Sequence, residues 1–294
     1  MAALSDDQCK RLMEIRLNQH ILNEMLKRGN FKHFPIHLAF GHEALAFAVS
    51  EVMGQEDVLC LTHRNIAYNI ARVGDFERIL CHFAGNSGDS PAPMGSMNLA
   101  FRDVGIYYSS SILGNNLAVA AGIAMNRKNS KTGDAVFVVT GDGALEEGVF
   151  WETLIFAKSQ NLKLVILIEN NNNSMSSSIE QRRCPIDFRK ICSSMDIVYK
   201  SIDGSKILDT LGVFKEIKKE IVSGTSSVIL AEAYIETYCN HAGATPGWDT
   251  DSRNISISDG IFINGTKVDP LHNLREEIGV TRFDNIYKQI AYKI

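Results

Sequence analysis

Two runs constrain the fold more than anything else in the chain: AVFVVT at 135–140 and LVILIE at 164–169. Neither alternates apolar with polar residues, as a strand with one wet face does, so both faces of each must be covered. Strands inside a parallel sheet flanked by helices meet that condition. Between the two runs, Glu146 to Gln160 reads as a crossover helix, giving a βαβ unit. DVLCLT reads as an earlier strand, and DIVYKSID and SVILAEAYIE as later ones, joined by a helix near Leu208 to Val222. Ser5 to Arg28, GHEALAFAVSEVM and LGNNLAVAAGIAMNRK read as helices. The first opens on SDDQ, a capping-box pattern, and ends at Gly29-Asn30. FDNIYKQIAYKI reads as a short closing helix, and Gly85 to Asn98 and Tyr238 to Lys267 as loops. The expected class is α/β, with an open, mostly parallel sheet flanked by helices. Residues 1–294 are expected to form one domain with an N-terminal helical extension and a short C-terminal tail.

Composition excludes several roles. The 294 residues are 45% hydrophobic and 22% charged, enough to bury a sizeable core. A net charge of -4 offers no basic surface for nucleic acid or for an anionic membrane. No apolar run approaches the ~20 residues of a bilayer span, and MAALSDDQCK lacks the basic-then-apolar pattern of a signal peptide. The six cysteines are scattered and form no CxxC pair, so reduced thiols and a cytoplasmic location are expected.

Open parallel sheets bind ligands at the carboxyl ends of their strands. Gly141-Asp142-Gly143 follows one such end and Asn170-Asn171 another. A carboxylate and an amide brought together there suit a small hard cation such as Mg²⁺, which takes a few protein oxygens, water and phosphate. The glycines let backbone N–H groups approach phosphate. A helix starting near Ala144 would add its positive end. Singly, a GDG turn and an Asn-rich loop are commonplace. Together, across a βαβ unit, they point to a metal–diphosphate site. GDGALEEG is not the GxGxxG of a nicotinamide site.

GDG followed after 26 residues by NN resembles the thiamine diphosphate motif. The wider chain resembles the alpha subunit of heterotetrameric thiamine-dependent 2-oxo acid dehydrogenases of the pyruvate, branched-chain and acetoin type. The resemblance runs through GHEA (41–44), THRNIA (62–67), GSMN (95–98), SILGNNLAVAAGIA (111–124), YCNHAG (238–243) and DPLHNLREEI (269–278). It implies the diphosphate-binding α/β fold, with thiamine diphosphate and Mg²⁺ as cofactors. It makes Asp142 and Asn171 side-chain ligands of the metal and Asn173 a backbone ligand. Gly141, Gly143 and Ala144 would cradle the diphosphate. His63 and Arg64 would face the phosphates, with Ser111 and Leu113 beside the aminopyrimidine. His241 would contact the diphosphate and act as acid or base near the reacting carbon. His37 and His42 lie close to the expected cofactor mouth and are expected to serve packing.

The resemblance also implies half of an enzyme. The glutamate that activates the cofactor comes in this family from a pyrimidine-binding domain, and no second α/β domain is legible here. A beta-type subunit is therefore the expected partner, in an α₂β₂ assembly acting on a 2-oxo acid, with a lipoyl-bearing acyltransferase as a further partner that the resemblance implies. The chain departs from the family pattern in places. His63 stands where tyrosine is usual, and Ala242 where some relatives have a phosphorylated serine. TPGWDTDSRNISISDG replaces a basic loop segment, so weak reaction with ordinary lipoyl domains, or another acceptor, is expected. The tail after DPL is short. Two other readings are an N-terminal subunit of a split transketolase, disfavoured by GHEA and ENNN, and a non-catalytic assembly subunit, disfavoured by the intact Asp142–Asn171 pair.

Overall fold

A computed structural model describes residues 3–31, 34–86, 93–130, 134–239, 241, 255–263 and 268–291. Helices α1 (Asp6–Lys27) and α2 (Glu43–Val52) precede β1 (Val58–Thr62), α3 (Ile66–Val73) and α4 (Phe76–Ala84). Then come β2 (Ile106–Ser110), α5 (Asn115–Asn126), β3 (Val136–Gly141), α6 (Gly148–Ser159) and β4 (Leu164–Asn170). The chain continues through α7 (Ile179–Arg182), α8 (Phe188–Ser194), β5 (Val198–Asp203), α9 (Ile207–Ser223) and β6 (Val228–Tyr234), and ends in α10 (Pro270–Ile278) and α11 (Val280–Lys288).

The six strands form one sheet in the order β2-β1-β3-β4-β6-β5, and every neighbouring pair is parallel. Successive side chains of a strand point to opposite faces. Phe137, Val139, Val165 and Leu167 accordingly join a core with α1, α2, α3, α9, α10 and α11. Val136, Val138, Leu164, Ile166 and Ile168 join a separate core with α5, α6 and α8. Both faces of β3 and β4 are dry, which is why neither run alternates. The expected α/β class is the one observed.

Three expectations need correction. IYYSS was not read as a strand, yet it is β2, an edge strand paired to β1 alone. The crossover helix does not start at Glu146 or near Ala144. Asp142–Glu146 is a separate 3-10 turn, and Glu147, extended at ψ 138, interrupts the chain before α6 begins at Gly148. The positive end of α6 therefore lies beyond Ala144. The closing helix starts earlier than Phe283, because Gly279 at φ 86 ends α10 and admits α11 directly. The loop readings 85–98 and 238–267 fall partly outside the described residues, which hold 3-10 turns at Ser96–Asn98 and Ile257–Asp259.

One buried ion cluster ties the helical layer together. Arg16 of α1 donates from Nε to Glu43 Oε1 at 2.6 Å and from Nη2 to Asp269 Oδ1 at 2.9 Å, and all three side chains are fully buried. Glu43 Oε2 also accepts from Gly41 N at 2.9 Å, so the glutamate of GHEA is an anchor for the turn before α2. Arg16→Met would strand two buried carboxylates, at an expected cost of ~3–5 kcal/mol. Urea unfolding reads this; a loss well under ~1 kcal/mol would mean the cluster relaxes to water.

Candidate active site

The strand order reverses between β1 and β3, where crevices open at the carboxyl ends of parallel strands. A cavity of about 310 Å³ lies there. His63 and Arg64 follow β1, Ser111 and Leu113 follow β2, Gly141 ends β3, and Asn171 and Asn173 follow β4. Asp142, Gly143 and Ala144 form the turn after β3, and His241 reaches in from the segment beyond β6. Every residue given a cofactor or metal role from the sequence thus lines one cavity. His37 and His42, expected to serve packing, are buried and also line it.

On the acidic side, Asp142 is 1% exposed. Its Oδ1 accepts from Arg182 Nη2 at 2.9 Å and its Oδ2 from the Asn173 N–H at 2.9 Å. Burial raises the Asp142 pKa above the usual carboxylate range, and the Arg182 charge works against that rise. A buried carboxylate needs a compensating cation. Arg182 supplies one here. No local pattern announces Arg182, which lies 40 residues beyond Asp142.

A second network orients Asn171. Its Nδ2 donates to Thr237 Oγ1 at 2.8 Å, and its Oδ1 accepts from Asn173 N at 3.1 Å. Thr237 Oγ1 lies 2.8 Å from His42 Nε2, and His42 Nδ1 lies 2.9 Å from Glu169 Oε1. Tyr68 donates to the same Glu169 oxygen at 2.8 Å. One donor order satisfies the whole chain: Asn171 amide to Thr237, Thr237 hydroxyl to His42 Nε2, and His42 Nδ1–H to Glu169. That order sets the Asn171 amide with its nitrogen on Thr237 and its oxygen toward the Asn173 N–H. Gly41 permits the contact. At φ +98 it lies so close to Glu236 that a Cβ would overlap the carbonyl oxygen, and this approach brings His42 against Thr237. The sequence reading missed this relay, although a glutamate ending the otherwise apolar LVILIE was a visible anomaly. Thr237→Val should loosen Asn171 and weaken divalent-metal affinity by about 10–100-fold. Calorimetry checks it, and an unchanged affinity would reduce the relay to packing.

The opposite wall is basic in composition but carries little mobile charge. Arg64 donates to the Leu38 carbonyl at 2.5 Å and to the His241 carbonyl at 3.2 Å. Burial lowers His37 to about 2 and His63 to about 3, with Arg64 adding to both. Burial, then Arg64, lowers His241 as well. These imidazoles are neutral near pH 7, and the permanent positive charge on this wall is Arg64.

The cavity suits a diphosphate and its cation on two counts. A Cβ on Gly141 would meet nothing within 4 Å, so the missing side chain leaves the cavity floor open to an approaching group. The donor set divides into oxygens on one wall and N–H donors on the other, as a cation–phosphate pair requires. At the mouth, Ile112, Leu113 and Met175 are 68%, 47% and 63% exposed, an apolar rim no other described element covers.

A parallel sheet covered on both faces, with its cavity at a topological switch point, defines an open-sheet α/β protein with a ligand crevice at its strand ends. A family model described as "Dehydrogenase E1 component" matches residues 10–241, and the chain belongs to that family. The alpha subunit of acetoin:2,6-dichlorophenolindophenol oxidoreductase of Bacillus subtilis is 25% identical over 288 residues, which are 97% of this chain and 85% of that protein. The pyruvate dehydrogenase E1 component subunit alpha of Rickettsia prowazekii is 27% identical over 211 residues, 71% of this chain and 64% of its own length. A transketolase from Leishmania mexicana superposes with a TM-score of 0.59 at 16% identity, covering 80% of this chain and 37% of that one. That likeness concerns the fold, which is the diphosphate-binding α/β type expected from the sequence.

Proposed function

We propose that this chain is the alpha subunit of a thiamine diphosphate-dependent 2-oxo acid dehydrogenase, working with a beta-type subunit in an α₂β₂ assembly. The observation that carries the reading is the convergence of the GDG turn, the Asn171 segment, Arg64 and His241 on one cavity, in a chain of the dehydrogenase E1 component family. Asp142 and Asn171 would hold Mg²⁺ by their side-chain oxygens and Asn173 by its carbonyl. Gly141, Gly143 and Ala144 would present backbone to the diphosphate. His63 and Arg64 would face its far side, and Ser111 and Leu113 the aminopyrimidine. When bound, the cofactor supplies the electron sink for decarboxylation of a 2-oxo acid.

The chain's own groups have narrower tasks. The Glu169–His42–Thr237 relay sets the Asn171 amide. Arg182 pairs with Asp142 and would have to give it up to a metal ion. The neutral His241 can accept a proton at its ring nitrogen or donate a neutral N–H. The apolar rim at Ile112, Leu113 and Met175 is the surface we assign to the beta-type partner. The segment we assign to the choice of acyl acceptor, TPGWDTDSRNISISDG at 245–260, lies mostly outside the described residues. A lipoyl-bearing acyltransferase stays a proposed partner, and a cytoplasmic location a proposed site of action.

His241→Ala is expected to lower turnover at saturating cofactor by about 10²-fold or more, the scale of losing an acid or base. Its depressed pKa adds a sign. The imidazole stays a base until pH falls below the ordinary histidine value of ~6.5, so the acid limb that it causes should lie below that point. Steady-state rates across pH read both effects. A variant changed only in cofactor affinity would leave His241 a phosphate contact.

A further inference from the structure

His37, His63 and His241 come from the turn before α2, the end of β1 and the segment beyond β6. Their ring centroids lie 4.6, 4.8 and 5.2 Å apart, and one ring nitrogen from each lies within 4.8 Å of the other two. His37 meets both neighbours edge-on rather than stacked. No carboxylate belongs to the group. His37 is 3% exposed, and its Nδ1 has no hydrogen-bond partner among the described residues. A buried ring nitrogen left unpaired costs about 1–3 kcal/mol, which a ligand for that nitrogen would recover.

We propose that His37, His63 and His241 form a tris-histidine site for a divalent transition-metal ion of the Zn²⁺ class. Imidazole nitrogen favours Zn²⁺, Co²⁺, Ni²⁺ and Cu²⁺, whereas Mg²⁺ takes oxygen. The site therefore differs in chemistry from the oxygen pair of Asp142 and Asn171 in the same cavity. Three protein nitrogens leave a fourth position for water; while the ion is bound His241 is a ligand and not the acid or base, so the site belongs to the cofactor-free chain. Zn–N bonds of about 2.0–2.1 Å require the rings to close in by on the order of 1 Å. All three residues lie outside helices and strands, where such an adjustment is small. Burial already keeps His37 and His63 neutral, as ligands must be. Arg64 opposes any cation here, which restricts the site to ions that imidazole binds strongly.

The probe is Co²⁺ added to the metal-free full chain without thiamine diphosphate, followed by absorption spectroscopy and calorimetry. The reading of the cavity as a cofactor site is thus not needed for the result. One Co²⁺ per chain should bind with the strong visible bands of a four-coordinate nitrogen site. Zn²⁺ should displace it, and a millimolar excess of Mg²⁺ should not. His63→Phe and His241→Ala should each weaken binding by at least about 100-fold, more than the loss of an outer contact. Asp142→Ala should leave Co²⁺ binding unchanged while removing Mg²⁺-dependent cofactor binding. Thermal melts identify which variants are folded, and the two histidines lie in separate segments, so either variant suffices. Co²⁺ binding that survives in both folded histidine variants, that vanishes in Asp142→Ala, or that is absent from the wild-type chain would overturn the proposal.

Discussion

Replacing Asp142 with alanine is expected to abolish Mg²⁺-dependent thiamine diphosphate binding, a loss beyond ~100-fold, while the chain keeps its fold. The carboxylate is buried at the cavity floor, and burial raises its pKa, so its charge is a cost that the native structure compensates through Arg182. Its other contact is a single N–H of Asn173. Neither contact ties distant elements of the core, unlike the Arg16 cluster. Removing the carboxylate should therefore spare stability and remove the one anionic ligand. Calorimetry on the assembled enzyme reads affinity, and a thermal melt reads folding. Asp142→Asn keeps the shape without the charge and should fall between. An affinity unchanged in Asp142→Ala would take the residue out of the site.

The isolated chain is expected to release no measurable CO₂ from any 2-oxo acid, even with thiamine diphosphate and Mg²⁺ present. In this class of enzyme a glutamate must face the aminopyrimidine. Glu146 is engaged by Arg182 at 3.0 Å and Arg183 at 3.4 Å, on the diphosphate side. Glu169 lies in the cavity but is committed to Tyr68 and His42. The missing carboxylate would come from the partner across the apolar rim. Adding a beta-type subunit should restore turnover, and CO₂ release is the readout. Full activity of the single chain would mean that Glu169, or a residue outside the described ones, performs that task.

Strands β3 and β4 were legible because both of their faces are buried, which writes itself as an unbroken apolar run. β2 was not, because this edge strand carries half-buried tyrosines and two serines and so shows no apolar run. The helix expected to start near Ala144 instead starts at Gly148, since the helical pattern continues straight through Glu147 and only its backbone angle breaks it. The candidate site was legible from residue pattern where its residues directly follow strand ends, as Asp142 and Asn171 do, while Arg64 and His241 came from the resemblance alone. His42 meets Glu169 and Thr237 across 127 and 195 residues of sequence. Such contacts exist only once the sheet has brought the strand ends together, and no local spacing carries them.

The central claim is that the carboxyl ends of β3 and β4 hold a metal ion and a diphosphate. A crystal structure of the assembled enzyme soaked with Mg²⁺ and thiamine diphosphate tests it most directly. The account predicts a metal ion bound by Asp142, Asn171 and the Asn173 carbonyl at about 2.0–2.1 Å, with Arg182 displaced from Asp142. A diphosphate bound elsewhere, with the Arg182–Asp142 ion pair intact, would contradict it.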